Sequence, residues 1–258
     1  MKHNSPDNYQ CLNRIAMNQE INMPAPGKIL AEAIDRGQSA LSEFQSKRLL
    51  ACYGVPVTRE ALAKDAGQAM EIARQIGGPV ALKACSALLM HKSERSLVML
   101  NLKSDDEVRR AYEKLASAAG FELEGVLVQQ MIDGHRELMA GLMRDSQFGP
   151  CVMLGLGGVL TEAMDDAVMR MVPVNEDDVA DMMAGLRCKD ILGAFRGQSP
   201  AEVLTLVAVL TGLGRIGLEH ESVAEIDINP LIISPKGRIV AVDALVVLKK
   251  GKNHAVTH

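Results

Sequence analysis

Residues 224–230 read Ala-Glu-Ile-Asp-Ile-Asn-Pro, and this stretch alternates strictly between apolar and oxygen-bearing side chains. Because successive residues of a β-strand point to opposite faces, the alternation predicts a strand with one apolar face and one polar face. Glu225, Asp227 and Asn229 then share the polar face. Such a row indicates either a cation site or an ordinary hairpin with a solvated acidic face, and alternating strands of the second kind are common.

A turn and a second strand follow this stretch. Residues 234–237 read Ser-Pro-Lys-Gly, which is a turn signal, and residues 238–242 then lead to Asp243. Asn229 and Asp243 are each seven residues from Lys236, so a hairpin centred on that lysine places them opposite each other. Two such oxygen ligands suit Mg²⁺, which takes one or two protein oxygens and completes its octahedron with phosphates and waters.

The composition indicates a folded protein and narrows the classes of partner. The chain has 258 residues, of which 48% are hydrophobic, and a net charge of −4; this charge argues against a nucleic-acid partner. Five widely spaced cysteines form no CxxC pair, so we expect neither a metal cluster nor a disulfide framework, and the odd count suits a reducing cytoplasm. No apolar run predicts a membrane span, and the N-terminus does not resemble a signal peptide.

Local signals divide the chain into a tail followed by helices and strands. Residues 1–27 are polar and irregular and predict a flexible tail. Ser42 and Ser104 each stand three residues before a glutamine or a glutamate, which is the capping-box spacing that starts a helix. Residues 200–217 predict a later helix, with Ser199 as its cap and a proline at its first position. Helices mixed with consecutive strands favour a two-lobed α+β fold over a doubly wound parallel sheet.

Several motifs together resemble one protein family. Residues 225–231, followed by residues 241–244, resemble the metal-binding end of the ATP-grasp subunit of ADP-forming acetyl-CoA synthetases. They are more distantly similar to the β subunit of succinyl-CoA synthetase. Other segments that resemble this family are residues 82–83, 90–93, 148–150, 155–158, 195–197 and 200–201. The resemblance runs from about residue 41 to residue 248, and its motifs occur in the family's order.

The resemblance implies an ATP-grasp fold in which ATP or ADP lies between two lobes. The small lobe is expected to comprise residues 28–129. The large lobe, which contains the metal-binding hairpin, is expected to comprise residues 130–250. A second tail is expected at residues 251–258.

The same resemblance implies a nucleotide site built from both lobes. The expected ATP-binding residues are Lys83, Gln129, Gln130, Met131 and Glu137. The lysine would meet phosphate oxygens, the three hinge residues would present backbone groups to adenine, and the glutamate would bind the ribose hydroxyls. The family assigns Mg²⁺ to Asn229 and Asp243. Taken without the family, Lys83 reads as a surface lysine and Glu137 as an exposed strand carboxylate.

His91 is the residue to which the resemblance gives a catalytic role. The family's reaction passes a phosphoryl group between an acyl phosphate, a histidine and ADP, and His91 matches the histidine position. The chain departs from the family just after it. The family usually continues into Gly-Gly-Val, whereas residues 94–98 read Glu-Arg-Ser-Leu-Val, so backbone amides lose their close approach to phosphates. Either Arg95 substitutes as a cation in a remodelled loop, or catalysis is impaired.

The implied activity is that of an acid–thiol ligase, reversibly converting acyl-CoA, ADP and phosphate into a carboxylate, CoA and ATP. Because the chain has no room for CoA-binding domains, the resemblance implies a separate CoA-binding α-type subunit. CoA and the small carboxylate would bind through that subunit, in a hetero-oligomer. Two alternatives stay open. A non-catalytic or regulatory ATP-binding subunit is favoured by the altered loop, and another ATP-grasp carboxylate ligase leaves His91 unexplained.

Overall fold

The computed structural model describes residues 24–88, 97–118, 122–158, 166–194 and 196–249. In chain order its helices are α1 (Pro26–Asp35), α2 (Glu43–Ala51), α3 (Ala66–Ile76), α4 (Asp105–Ala118), α5 (Glu176–Gly185) and α6 (Val203–Glu219), with a 3₁₀ turn at Lys189–Leu192. Its strands are β1 (Glu60–Ala63), β2 (Val80–Cys85), β3 (Val98–Leu102), β4 (Gly125–Gln130), β5 (Arg136–Asp145), β6 (Gly149–Leu156), β7 (Ala167–Met171), β8 (Val223–Ile233), β9 (Ile239–Ala241) and β10 (Ala244–Leu248). Among these residues, no helix combines the length and apolarity needed to cross a membrane.

The first sheet is antiparallel and has four strands in the order β1-β4-β2-β3. One of its faces is apolar and packs against α3 and α4, with Val80, Leu82 and Val128 fully buried there. Since alternate residues of β2 and β4 point the other way, Lys83 and Gln129 lie on the opposite face. That second face is turned towards the rest of the chain.

The second sheet has six strands, with β10-β8-β5-β6-β7 in order and β9 paired to β8. One face carries the main core, to which β5, β6 and β8 contribute buried residues such as Leu142, Leu154 and Ile226. Helices α1, α2, α5 and α6 cover this face. The α+β class and the two-lobed arrangement expected from the sequence are therefore confirmed.

The predicted helix starts are confirmed at two of three positions. Ser42 accepts a hydrogen bond from the amide of Gln45, whose side chain accepts one from the amide of Ser42 in return. Ser104 and Glu107 form the same reciprocal pair at the start of α4. Both boxes satisfy backbone donors that the first helical turn leaves unpaired.

The third helix start is wrong. α6 begins at Val203 rather than at residue 200, and Ser199 does not cap it. The reason lies in tertiary hydrogen bonds. The amide of Ser199 donates to the carbonyl of Pro235, and the amide of Glu202 donates to that of Gly237. The turn after β8 thus holds this segment extended, and local capping preference gives way to it.

The expected lobe boundary also needs correction at the N-terminal side. α1 begins at Pro26, so helical structure starts inside the segment expected to be a tail, residues 1–27. Residues of α1 and α2 belong to the core of the large sheet, and the amide of Leu41 donates to the carbonyl of Val246 on β10. The first two helices therefore pack with the large lobe, although the family resemblance predicts that residues 28–129 form the small lobe. Conversely, β4 belongs to the small sheet and ends at Gln130.

A contact between Tyr53, just after α2, and the end of α6 fixes these two helices relative to each other. The Tyr53 hydroxyl donates to Glu219 Oε2 at 2.6 Å and lies 2.7 Å from His220 Nε2. The Tyr53 and His220 rings meet edge to face. Burial lowers the pKa of His220, and the nearby charge of Glu219 only partly opposes this. Sequence reasoning gave His220 no role.

The lowered pKa of His220 predicts a pH-dependent stability. The unfolded chain binds this proton more readily than the folded chain, so the contribution is complete above the ordinary pKa of 6.5 and is lost as pH falls towards the lower folded value. Between about pH 7.5 and about pH 5.5, the melting temperature of the wild type should fall more than that of His220→Gln. Parallel melting curves for the two proteins would contradict this.

Candidate functional site

A buried cluster of four charged side chains lies where the two sheets meet. Lys47 on α2 is only 1% exposed and donates to Glu43 Oε1 at 2.9 Å. It also forms an ion pair with Glu60 on β1. Lys83 on β2 donates to the same Glu43 oxygen at 2.6 Å. We call these residues, Glu43, Lys47, Glu60 and Lys83, the junction cluster. Its two lysines and two glutamates balance in charge, as buried ions require.

Local structure explains why the junction cluster forms. Glu43 and Lys47 are four residues apart on α2, so both project from one face of the helix. Glu60 pairs with Gln129 across β1 and β4, which puts both side chains on the face that carries Lys83. Gln129 accepts from Lys47 at 3.2 Å and donates to the carbonyl of Val242 at 3.1 Å.

The charges around Lys47 keep it protonated. Burial alone would lower the pKa of this lysine, but the carboxylates of Glu60 and Glu43 outweigh burial and raise the pKa above its usual value. Lys47 also donates to the carbonyl of Val242, between β9 and β10. A protonated lysine on α2 therefore joins the small sheet to the hairpin region of the large sheet.

The structure places Asn229 and Asp243 as the hairpin spacing predicts. Leu231 pairs with Ala241 on one side of this point and Ile228 with Ala244 on the other, in a continuous register that sets Asn229 opposite Asp243. Lys83 Nζ lies 3.8 Å from Asp243 Oδ2 and 3.4 Å from the carbonyl of Val242. The predicted phosphate-binding lysine and the predicted metal ligand are thus neighbours, and Lys83 is buried rather than on the surface.

The glycine turn after β6 brings Glu137 close to Asn229. The amide of Gly157 donates to the carbonyl of Glu137 at 2.8 Å, and the amide of Gly158 donates to Asn229 Oδ1 at 3.3 Å. A Cβ atom on Gly158, whose φ is +75°, would lie 2.2 Å from Glu137 Oε2. The left-handed conformation favours glycine here, and a side chain at this position would also displace the Glu137 carboxylate.

The oxygen ligands near Asp243 have the chemistry that Mg²⁺ prefers. Asp227 lies in the same row, and burial, followed by the charges of Glu225 and Asp243, raises the pKa of its carboxyl. Such mutual repulsion favours a cation at this point. Among the described residues, no group of three or more His, Cys, Asp or Glu side chains can hold a metal by itself. An amide and a carboxylate fit Mg²⁺ completed by phosphates.

The hinge residues divide between two faces. Gln129 points into the junction cluster, whereas Gln130 points the opposite way and accepts from Arg59 at 3.1 Å. The amides of Gln130 and Met131 donate to the carbonyls of Arg59 and Pro79, so these two amides do not face a base in this structure.

Gln130 and Met131 line a cleft of about 690 Å³ between the hinge and the turn after β8. Of the described residues, neither Lys83 nor Asp243 lines this cleft. The structure therefore brings Lys83, Gln129, Glu137, Asn229 and Asp243 towards one junction, but not the other two hinge residues.

His91 lies outside the described residues, as do residues 94–96 of the altered segment that follows it. Three members of the junction cluster, Glu43, Lys47 and Glu60, were missed by sequence reasoning. Their only sequence signal is the four-residue spacing of Glu43 and Lys47, and this spacing is usually found on solvated helix surfaces.

Comparison with known proteins shows that the chain belongs to the ATP-grasp family. Residues 32–248 match the family model described as an ATP-grasp domain. The chain is 35% identical over 229 residues to the beta subunit of acetate–CoA ligase [ADP-forming] II from Pyrococcus furiosus, covering 86% of this chain and 97% of that protein. It is 36% identical to acetate–CoA ligase [ADP-forming] I of Archaeoglobus fulgidus but covers only 30% of that longer chain.

Solved structures of acetyl-coenzyme A synthetase 1 from Candidatus Korarchaeum cryptofilum share this fold. One, in complex with coenzyme A and Mg-AMPPCP, is 38% identical with a TM-score of 0.78, covering 87% of this chain and 100% of that one. In that structure a phosphohistidine segment points towards the nucleotide binding site.

The junction cluster predicts a large stability cost for removing one of its charges. Lys47→Met should lower the free energy of unfolding by about 3–5 kcal/mol, because two carboxylates then face one lysine in a buried site. Adding Glu60→Gln restores the charge balance and should recover part of the loss. Urea denaturation measures both. Lys28→Met, at an exposed lysine, should change stability by no more than about 0.5 kcal/mol. A double variant less stable than Lys47→Met would refute the charge-balance explanation.

Proposed function

Since the chain belongs to the ATP-grasp family, we propose that it is the ATP-binding subunit of an ADP-forming acyl-CoA synthetase. The reaction is acyl-CoA + ADP + phosphate = carboxylate + CoA + ATP. The observation that carries this proposal is the approach of Lys83 from the small sheet to Asp243 on the hairpin of the large sheet, where Asn229 lies opposite Asp243. The match to nearly the whole length of a β subunit with this activity supports it.

The nucleotide would lie where the two sheets approach each other. Lys83 would contact phosphate oxygens. Backbone groups of the hinge residues Gln129, Gln130 and Met131 would face the adenine edge, through the carbonyls in the case of Gln130 and Met131. Glu137, held against Gly158, would accept hydrogen bonds from the ribose hydroxyls. These assignments make ATP and ADP the ligands of the chain.

Mg²⁺ would be held by Asn229 and Asp243 together with phosphate oxygens. The ion would neutralise phosphate charge, which is the main requirement of phosphoryl transfer. Asp227 adds negative charge beside the pair and strengthens the site for a cation. Lys83, 3.8 Å from Asp243, would bring a second positive charge to the same phosphates.

The chain would act with a CoA-binding α-type subunit in a hetero-oligomer. The P. furiosus relative is called a beta subunit, whereas the A. fulgidus relative is a longer single chain of which this protein covers 30%. The remaining part of such an enzyme would supply CoA and the small carboxylate. The wide spacing and odd number of cysteines support a reducing, cytoplasmic location.

His91 would be the phosphoryl acceptor on this chain. Its imidazole would take the phosphoryl group, as a phosphohistidine, between the acyl phosphate and ADP. Because the residues after it lack the family's glycines, the main alternative is an ATP-binding subunit with a regulatory rather than catalytic role. Another ATP-grasp carboxylate ligase is a second alternative, but it gives His91 no function.

The metal assignment predicts how nucleotide binding depends on Mg²⁺. ATP should raise the melting temperature only when Mg²⁺ is present, because a ligand that binds the folded state stabilises it. Asp243→Ala should remove most of this shift, and Asp243→Asn should remove part of it. Asp181→Asn, at an exposed aspartate on α5, is the control and should keep the full shift. An Asp243→Ala variant that binds Mg-ATP like the wild type would show that the hairpin is not the metal site.

The histidine assignment predicts a separation of rate from affinity. Alone, the chain should bind Mg-ATP without making acyl-CoA, and the complex with its CoA-binding subunit should be active. His91→Ala should abolish turnover of that complex and leave Mg-ATP affinity nearly unchanged, since the histidine would interact only with the transferred group. The measurements are single-turnover kinetics and phosphoryl label mapped to the chain and residue. Normal turnover by the variant would remove His91 from the reaction. Formation of acyl-CoA by the purified chain alone would contradict the requirement for a separate CoA-binding subunit.

A further inference from the structure

One face of the large sheet carries a group of methionines. Met153 pairs with Met169 across β6 and β7, and Cys151 pairs with both Met143 and Met171. Because paired residues in antiparallel strands point to the same side, these side chains share one face, and so does Met139, opposite Gly155. We call Met139, Met143, Met153, Met169 and Met171 the methionine face.

Three residues of the methionine face are open to solvent within the described part of the chain, and Met139 and Met153 are half-buried. Met171 is 57% exposed, Met169 53% and Met143 42%. The intervening residues Leu142 and Val152 point to the opposite side and are buried under the helices. Contiguous exposed apolar side chains of this kind mark interaction surfaces, and methionine suits them because its flexible thioether adapts to a partner.

The methionine face continues directly into the proposed metal site. Across β5 and β8, Met143 pairs with Glu225 and Gly141 pairs with Asp227. The acidic row of Glu225, Asp227 and Asn229 therefore lies on the same side of the sheet as the methionines. A molecule seated on the methionines would border this row and lie beside the phosphate end of the nucleotide site.

We propose that the methionine face is the surface on which the CoA-binding subunit docks. This inference rests on the proposed function, in which that subunit must bring a phosphoryl-carrying group to the metal end of the site. Docking beside Asn229 and Asp243 places the subunit where that group is needed. The interface would have an apolar centre at the methionines and a polar edge at Glu225 and Asp227, as protein interfaces commonly do.

Charge favours this occupant over a second copy of the chain. The edge of the methionine face is acidic, and the whole chain carries a net charge of −4. A second copy packed through the same face would bring another acidic row to the contact, and like charges there oppose association. The docking surface of the CoA-binding subunit should instead present apolar side chains bordered by lysines or arginines.

The test is binding of the purified CoA-binding subunit to variants of this chain. Met169→Glu with Met171→Glu should weaken the complex by at least roughly tenfold, because a charge buried in an interface core is not compensated. Met171→Lys is a milder second variant that should also weaken it. Leu100→Glu and Leu204→Glu are matched controls at leucines 60% and 72% exposed elsewhere, and they should bind like the wild type. The Mg-ATP melting shift of each variant checks that it is folded.

Each outcome decides the inference. Methionine variants that bind the subunit like the controls would overturn the docking surface while leaving the proposed function intact. If the wild-type chain dimerises and only the methionine variants lose the dimer, the methionine face binds a second copy of the chain. That result would also overturn the proposal that the CoA-binding subunit docks there. A folded wild type that binds Mg-ATP but not the CoA-binding subunit would reject the proposed function, and the docking surface with it.

Discussion

Two lysines and two glutamates buried at one junction must neutralise each other, and the arrangement of the two sheets depends on that requirement. A buried charge without a partner costs several kcal/mol, so the four side chains hold their elements in place. Lys47 connects α2 to β1 through Glu60 and to the hairpin region through the carbonyl of Val242. Lys83 therefore lies beside Asp243. The proposed phosphate-binding lysine and the proposed metal ligand thus come from different sheets and are neighbours.

The large sheet separates its structural and functional roles by face. Along β8, Ile226 and Ile228 enter the core, whereas Asp227 and Asn229 point to the open side. The helices supply apolar cover to the first set. The open side combines the acidic row with exposed methionines, which gives a surface suited to a cation at one end and to a protein partner at the other.

Local patterns predicted much of this from the sequence. Strict alternation and a turn signal were sufficient to set Asn229 opposite Asp243, because the apolar pattern and the turn fix the register of a hairpin. The capping boxes at Ser42 and Ser104 were equally local. The helix at residue 200 was misplaced because its backbone donors bond to a distant turn, and propensity carries no information about such partners. The junction cluster could not be predicted from the sequence for a similar reason. Glu43 and Lys47 have the spacing of a solvated ion pair, and only the fold reveals that they are buried.

The second lysine of the junction cluster explains how a buried Lys83 can still serve a ligand. On the proposed function, a phosphate would compete with Glu43 for the ammonium of Lys83. If Lys83 were the only partner of Glu43, its turn towards phosphate would leave a buried carboxylate uncompensated. Because Lys47 contacts Glu43 at 2.9 Å as well, that carboxylate would keep a cation if Lys83 turned towards phosphate. Because Glu43 is shared by two lysines, the free-energy cost of turning Lys83 towards a phosphate is lower. Glu43 lies on α2, a helix to which the sequence analysis assigned no site.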